Sequence, residues 1–280
     1  MQRLKEILGV SLLASLVATF AGCGGYSYKT PTPPGNTFPQ ITTIDGRYNL
    51  LLTAASGQVP ATTAIYTVLT ETDTTLTAAA ATLICPLNDP SQCVDASIAP
   101  TGTISDLNVT ILISFPDPAG ANVVTLVGAV TAGLQAGSLS GTYTDTLGRS
   151  GSWTGSVAAY QYPTAPNPYD FIGTFNSTSN PLPIPLTISL QLALTDLDPP
   201  LTGSATVMNW PCGVSMTLEG QALGDAFDVS DTTNKVRIIA VPPSPTSNDF
   251  TFIYKFDPAA PHCAGDAGRG DLTILNPWDY

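Results

Sequence analysis

The stretch Leu186-Thr-Ile-Ser-Leu-Gln-Leu-Ala-Leu-Thr195 decides the fold. Leu186, Ile188, Leu190, Leu192 and Leu194 alternate with Thr187, Ser189, Gln191, Ala193 and Thr195. A period of two sends the two sets to opposite faces of an extended chain. An apolar face opposite an almost wholly polar one is what a half-buried antiparallel strand requires. Val109, Ile111, Ile113 and Phe115 repeat the pattern, as do Phe250, Phe252, Tyr254 and Phe256. No amphipathic helix follows the N-terminal apolar run. Ala78 to Ala81 has helical propensity, but Thr-rich flanks and an internal repeat place it in a strand.

That repeat sets the organisation. Leu69-Thr-Glu-Thr-Asp-Thr-Thr-Leu-Thr-Ala-Ala-Ala80 lies 125 positions before Leu194-Thr-Asp-Leu-Asp-Pro-Pro-Leu-Thr-Gly-Ser-Ala205, and six of the twelve pairs are identical without a gap. Each segment then runs on to a cysteine, Cys85 or Cys212. Gly46-Arg-Tyr-Asn-Leu50 and Phe171-Ile-Gly-Thr-Phe175 match loosely as first strands. The runs Gly102 through Val109 and Gly220 through Phe227 also correspond, while Gly151-Ser-Trp-Thr-Gly155 and Gly268-Arg-Gly-Asp271 open the last strands. The chain divides into a first β-module at 44–160, a linker at 161–168 rich in proline, a second module at 169–276 and a tail at 277–280. Each module offers seven or eight short strands with tight connections such as Asp117-Pro-Ala-Gly120. The expected class is all-β: two tandem antiparallel meanders, built as small up-and-down barrels or alternatively as sandwiches.

Ahead of the modules, Arg3 and Lys5 flank an apolar run from Leu8 to Phe20 that is short for a bilayer span, as in a secretory signal. The run ends in Phe20-Ala21-Gly22-Cys23, which resembles the bacterial lipobox. That resemblance implies removal of residues 1–22, a diacylglycerol on the Cys23 thiol and an acylated new N-terminus. Phe20 stands where the family usually has Leu. An ordinary signal peptide cut after Ala21 or Gly22 is the alternative. Several acyl chains, each buried CH₂ adding about 0.8 kcal/mol, would anchor the protein stably. Gly24 rather than Asp follows the cysteine, which by resemblance to the sorting rule implies the outer membrane of the cell envelope. Residues 23–43 carry Pro31, Pro33, Pro34 and Pro39 without apolar periodicity, so they read as an extended, disordered tether reaching roughly 60 Å at about 3.1 Å per residue. The body resembles the Gly/Thr-rich β-repeat envelope lipoproteins with small lipocalin-type barrels, a resemblance of patterning that lends a fold and a location.

Composition removes several functions. Of 9 basic and 21 acidic residues, the leader holds Arg3, Lys5 and Glu6, which leaves a clearly acidic body. A phosphate-neutralising surface is missing, so no nucleic-acid partner is expected. Charged residues make up only 11% of the chain, and abundant Thr and Ser suit the solvent faces of extracellular strands.

Four cysteines remain besides Cys23, and an oxidising compartment makes them disulfide candidates. Of three possible pairings, the duplication selects Cys85–Cys93 and Cys212–Cys263. A four-Cys zinc site is the alternative, disfavoured by the spacing and by the separate copies; no metal and no cofactor are expected. His262 is the only histidine, and a Ser or Cys hydrolase would need it as base. Gly137-Ser-Leu-Ser-Gly141 has Leu139 where a nucleophile should stand. Carboxylate chemistry needs only two acids. Glu71 and Glu219, the cluster Asp225, Asp228 and Asp231, and Asp266 with Asp271 are the candidates, with solvated turn residues as the plain alternative. Arg269-Gly-Asp271 spells an integrin-recognition tripeptide, but the repeat places it entering a strand. Trp153, Trp210 and Trp278 could form a sugar platform or fill cores.

No catalytic residues are therefore assigned. The expected function is a membrane-anchored envelope lipoprotein with non-catalytic binding or structural modules, its protein, glycan or small-ligand partner open. A carrier of a small apolar ligand inside one barrel comes second, and a carboxylate-based glycan enzyme third.

Overall fold

The computed structural model describes residues 44–275 except 79–80, 132–137, 160–167, 181, 193–199, 209, 211, 213–214 and 245–246. The signal, Cys23, the tether, the tail with Trp278 and all of the linker but Pro168 lie outside the described residues.

The fold is all-β, as the alternation requires. The first half holds β1 (Gly46–Ala54), β2 (Thr62–Thr72), β3 (Thr75–Ala78), β4 (Leu83–Pro86) and β5 (Val94–Asp95). It continues with β6 (Thr101–Ser105), β7 (Asn108–Asp117), β8 (Gly120–Thr131), β9 (Ser138–Asp145) and β10 (Ser150–Val157). Because β1 pairs with both β10 and β2, the ring β1-β2-β3-β6-β7-β8-β9-β10 closes into an antiparallel barrel. Short strands complete one side of it in two tiers. Leu69–Thr72 of β2 pairs with β3, which continues to β6, while Thr63–Tyr66 of the same strand pairs with β4, which continues to β5. A bond from Ser97 N to Ser114 O then returns the lower tier to β7.

The second half is a simpler meander closed on itself. It runs through β11 (Tyr169–Ser177), β12 (Ile184–Leu192), β13 (Leu201–Val207) and β14 (Ser215–Leu223), then β15 (Ala226–Asp231), β16 (Val236–Val241), β17 (Asp249–Phe256) and β18 (Ala267–Ile274), which pairs back with β11. Repeat partners take equivalent places. The Leu69 and Leu201 segments flank the second-to-third strand connection of each copy, and Gly151–Gly155 and Gly268–Asp271 lie in the closing strands β10 and β18. The β4–β5 pair and its loop belong to the first copy alone.

Alternation becomes burial. Leu186, Ile188 and Leu190 point inward, as do the 109–115 and 250–256 sets. The predicted tight turn Asp117–Gly120 joins β7 to β8. On the outer wall of the first barrel, the exposed positions of β9 and β10 are Ser138, Ser140, Thr142, Thr144, Ser152, Thr154 and Ser156, hydroxyl groups that face water at little cost, and Val157 at the end of β10. Both disulfides form as the duplication selects, Cys85–Cys93 and Cys212–Cys263, with Cα–Cα distances of 4.1 and 5.3 Å.

Candidate functional site

A barrel can place a site in its interior, at its mouths or on its wall. Phe171, Phe175, Phe227, Phe250, Phe252, Tyr254 and Phe256 fill the second barrel together with Trp210. Rings meet edge-on, Phe175 against Tyr254 at 4.9 Å and against Trp210 at 5.1 Å, the geometry that ring quadrupoles favour. Among the described residues, a cavity of about 10 Å³ is left between Phe175, Trp210, Phe252 and Tyr254. In the first barrel, Trp153 is buried and donates its indole N–H to Val127 O at 3.2 Å. A cavity of about 20 Å³ lies near Leu52, Phe115, Tyr143 and Arg149. Either volume suits at most a water. Trp153 and Trp210 are thus core fillers of separate barrels and do not form a shared platform.

The carboxylates are spread out and employed. Glu71 accepts from Ile44 N at 2.7 Å, and its own N–H donates to Asp45. Glu219 is exposed on β14 of the other barrel. The cluster of three parts company. Asp225 occupies the β14–β15 turn, Asp228 pairs with Arg237, and Asp231 turns inward to accept from Thr217 N and Asn234 N at 2.9 and 2.8 Å. Burial pushes the Asp231 carboxyl up, but these hydrogen bonds prevail and hold it below the usual range.

Asp266 is buried at one mouth of the second barrel. It accepts from Ser177 Oγ at 2.8 Å, Thr178 Oγ1 at 2.5 Å, Ser179 N at 3.1 Å and Tyr254 Oη at 2.9 Å. Desolvation opposes its charge, the donors outweigh desolvation, and its pKa lies below the ordinary value. The Tyr254 hydroxyl is pushed up, first by burial. Asp271 faces outward on β18 and accepts from Thr251 Oγ1, so the two acids flanking the Gly-rich turn do not meet. At a mouth of the first barrel, Arg149 bridges Asp145 at 2.6 Å and Asp117 at 2.8 Å. His262 is exposed, and Arg269-Gly-Asp271 lies within β18. Among the described residues no group of three metal-ligating side chains assembles.

The largest arrangement unforeseen in the sequence is the seam between the barrels. Ala64, Tyr66, Leu83 and Cys85 pack against Leu223, Ala226, Ile239 and Val241. Polar groups border this apolar patch. Asn49 Nδ2 donates to Asp225 Oδ2 at 2.5 Å, and Asp225 N donates back to Asn49 Oδ1 at 2.8 Å. Gly224 N reaches Thr67 O at 3.2 Å. Arg237 holds Asp95 of the first barrel and Asp228 of its own, each at 2.6 Å, and hydrogen bonding to Asp228 foremost raises its pKa. Arg269 reaches Asp89 at 3.1 Å. Partners across the seam lie more than a hundred residues apart in the chain, so no local pattern announces them. A weak signal was present in Leu223-Gly-Asp-Ala226, a tight-turn sequence between apolar strands.

The chain matches no protein-family model and no curated protein. Among solved structures it is similar to a protein of unknown function from the DUF3598 family of Nostoc punctiforme PCC 73102, at 8% identity over 82% of this chain and 94% of that one, with a TM-score of 0.26. It is also similar to a protein described as an AttH candidate from Nitrosomonas europaea, at 13% identity over 89% of this chain and 100% of that one, with a TM-score of 0.22.

Proposed function

We propose that this protein is a lipid-anchored component of a bacterial cell envelope whose joined barrels act, without catalysis, as a binding or structural body. The observation that carries the reading is the filling of both interiors by the chain's own side chains. A carrier of a drug-sized apolar ligand needs a pocket of at least about 300 Å³, against the 10 Å³ among the rings of the second barrel. The carrier reading is therefore not favoured. Glycan hydrolysis needs two carboxyls facing one cleft, whereas the acids described above serve turns, ion pairs and backbone donors. With the interiors occupied, the outer walls and mouths are left to meet a partner. The anchor rests on the lipobox resemblance of Phe20-Ala21-Gly22-Cys23.

Mass spectrometry of the mature N-terminus tests the anchor. A Cys23 start carrying a diacylglycerol is expected, and an unmodified chain starting at Gly22 or Cys23 would overturn it. Titration with an environment-sensitive apolar dye tests the interior. No saturable one-to-one binding is expected, and stoichiometric uptake would restore the carrier.

A further inference from the structure

The loop closed by Cys85–Cys93 is present in one copy only, and it spends its side chains on the other barrel. Asn88 Nδ2 donates to Pro242 O at 2.7 Å, while Asn88 Oδ1 accepts from Tyr66 Oη. Asp89 takes Arg269 at 3.1 Å, and Asp95, two residues beyond the disulfide, takes Arg237. Pro90 is buried, and the short 3₁₀ turn Pro90–Gln92 packs against β16 and β17. The backbone of the loop is held in an unusual form. Leu87 and Asn88 have φ of 54° and 53°, a region that a leucine rarely enters without constraint. Cys85 is fully buried in the apolar seam, whereas Cys93 is only partly covered.

We propose that this loop is a redox-controlled clamp: oxidised, it holds the second barrel against the first, and reduced, it releases that hold while both barrels stay closed. The reductant is a small or protein dithiol. Its thiolate attacks Cys93 Sγ, the more accessible sulfur; the S–S bond breaks, and Cys85 leaves as a thiolate and takes up a proton. The reductant's second thiol then displaces Cys93 and departs as a disulfide, so two electrons pass to the cystine. With the loop open, Leu87 is free to return to negative φ, and the Asn88 contact with Pro242 is lost. Closure of neither barrel depends on the bridge. The first barrel closes through β1 and its neighbours, and the second carries Cys212–Cys263 in its own core.

Hydrogen exchange on the whole chain tests the clamp, because the Gly224 and Asp225 amides bond across the seam and report it directly. In the Cys85→Ser, Cys93→Ser variant, exchange over 223–226 is expected to accelerate by roughly ten- to a hundredfold, the range set by opening a loop this short. Amides of β8 and β17 should stay as protected as before. Asn88→Ala, which keeps both disulfides, should shift the same peptide in the same direction by less. In a Cys212→Ser, Cys263→Ser background, where Cys85–Cys93 is the remaining bridge, dithiothreitol should accelerate exchange over 223–226 as replacing Cys85 and Cys93 by serine does. Unchanged exchange at 223–226 in the double variant would overturn the proposal. Lost protection in β8 would overturn it too, since the bridge would then be holding the first barrel itself together.

Discussion

At Gly224 the backbone of the second barrel donates a hydrogen bond to Thr67 O of the first, and replacing it with alanine measures how tightly they are joined. Its φ is +54°, and a Cβ there would collide with Asn49 Oδ1 and lie 2.6 Å from Tyr48 O and 3.1 Å from Tyr48 C. Those atoms belong to β1 of the other barrel, so relief requires the β14–β15 tip to draw back from the seam. Retreat would lengthen three bonds: Gly224 N to Thr67 O, Asp225 N to Asn49 Oδ1, and Asn49 Nδ2 to Asp225 Oδ2. Left-handed backbone costs an alanine about 1–2 kcal/mol. Weakening two neutral bonds and one to a carboxylate adds about 2–3 kcal/mol. Gly148→Ala is the control, because its φ is +83° and nothing lies within 4 Å of its Cβ. It should carry the backbone term alone. Urea unfolding followed by tryptophan fluorescence should therefore give a loss of about 4 kcal/mol for Gly224→Ala and about 1–2 kcal/mol for Gly148→Ala. For a body of this size that separates the melting temperatures by roughly 5–10 °C. Adding Asn49→Ala to Gly224→Ala should cost less than it does alone, since the two changes remove the same bonds. Equal losses for the two glycine variants would refute the reasoning, for the seam would then be loose enough to accept a methyl group.

Other expectations concern the cores, the acids and the longer disulfide. Phe252→Ala removes a buried ring from the second barrel and should cost about 3–5 kcal/mol; it should also open an apolar void that takes up xenon or benzene, visible as restored stability on saturation with benzene. Asp145, Asp231 and Asp266 all have pKa values below the ordinary carboxylate value. Such groups bind fewer protons folded than unfolded, so their stabilisation is complete above about pH 5 and fades as pH falls through the unfolded value near 3.9 and below. Urea midpoints should be flat from pH 8 to about 5 on this account and drop in more acid solution, and Asp266→Asn should shallow that drop while lowering the plateau. Replacing Cys212 and Cys263 by serine frees a loop of sequence separation 51 and should cost about 4 kcal/mol, against about 2.5 kcal/mol for the bridge of separation 8, read from the same denaturation midpoints.

Some features of this protein follow from local pattern and others from long-range structure. The alternation at 109–115, 186–190 and 250–256 translated into buried faces because side-chain direction in a strand depends only on position parity. The disulfides were legible because the duplication assigned one pair to each copy. Trp153 and Trp210 could not be placed from the chain alone, since a core filler and a surface platform have the same local sequence. Nor could the acids: Asp225, Asp228 and Asp231 sit within seven residues, yet they serve the other barrel, an arginine, and the backbone of a turn and of the neighbouring strand respectively.

By itself, then, the amino-acid sequence determined the alternating strands at 109–115, 186–190 and 250–256, their inward faces, the repeat and the pairing of Cys85 with Cys93 and Cys212 with Cys263. These depend on spacing along the chain. Only the tertiary structure decided that β1 closes the first ring by pairing on both edges, that aromatic rings close in on a cavity of about 10 Å³ among Phe175, Trp210, Phe252 and Tyr254, and that Asn49 meets Asp225 across 176 positions. Closure, residual volume and the seam all depend on which distant surfaces come together. Ring size, side-chain volume and burial set those contacts, and none of them is encoded in a window of neighbouring residues.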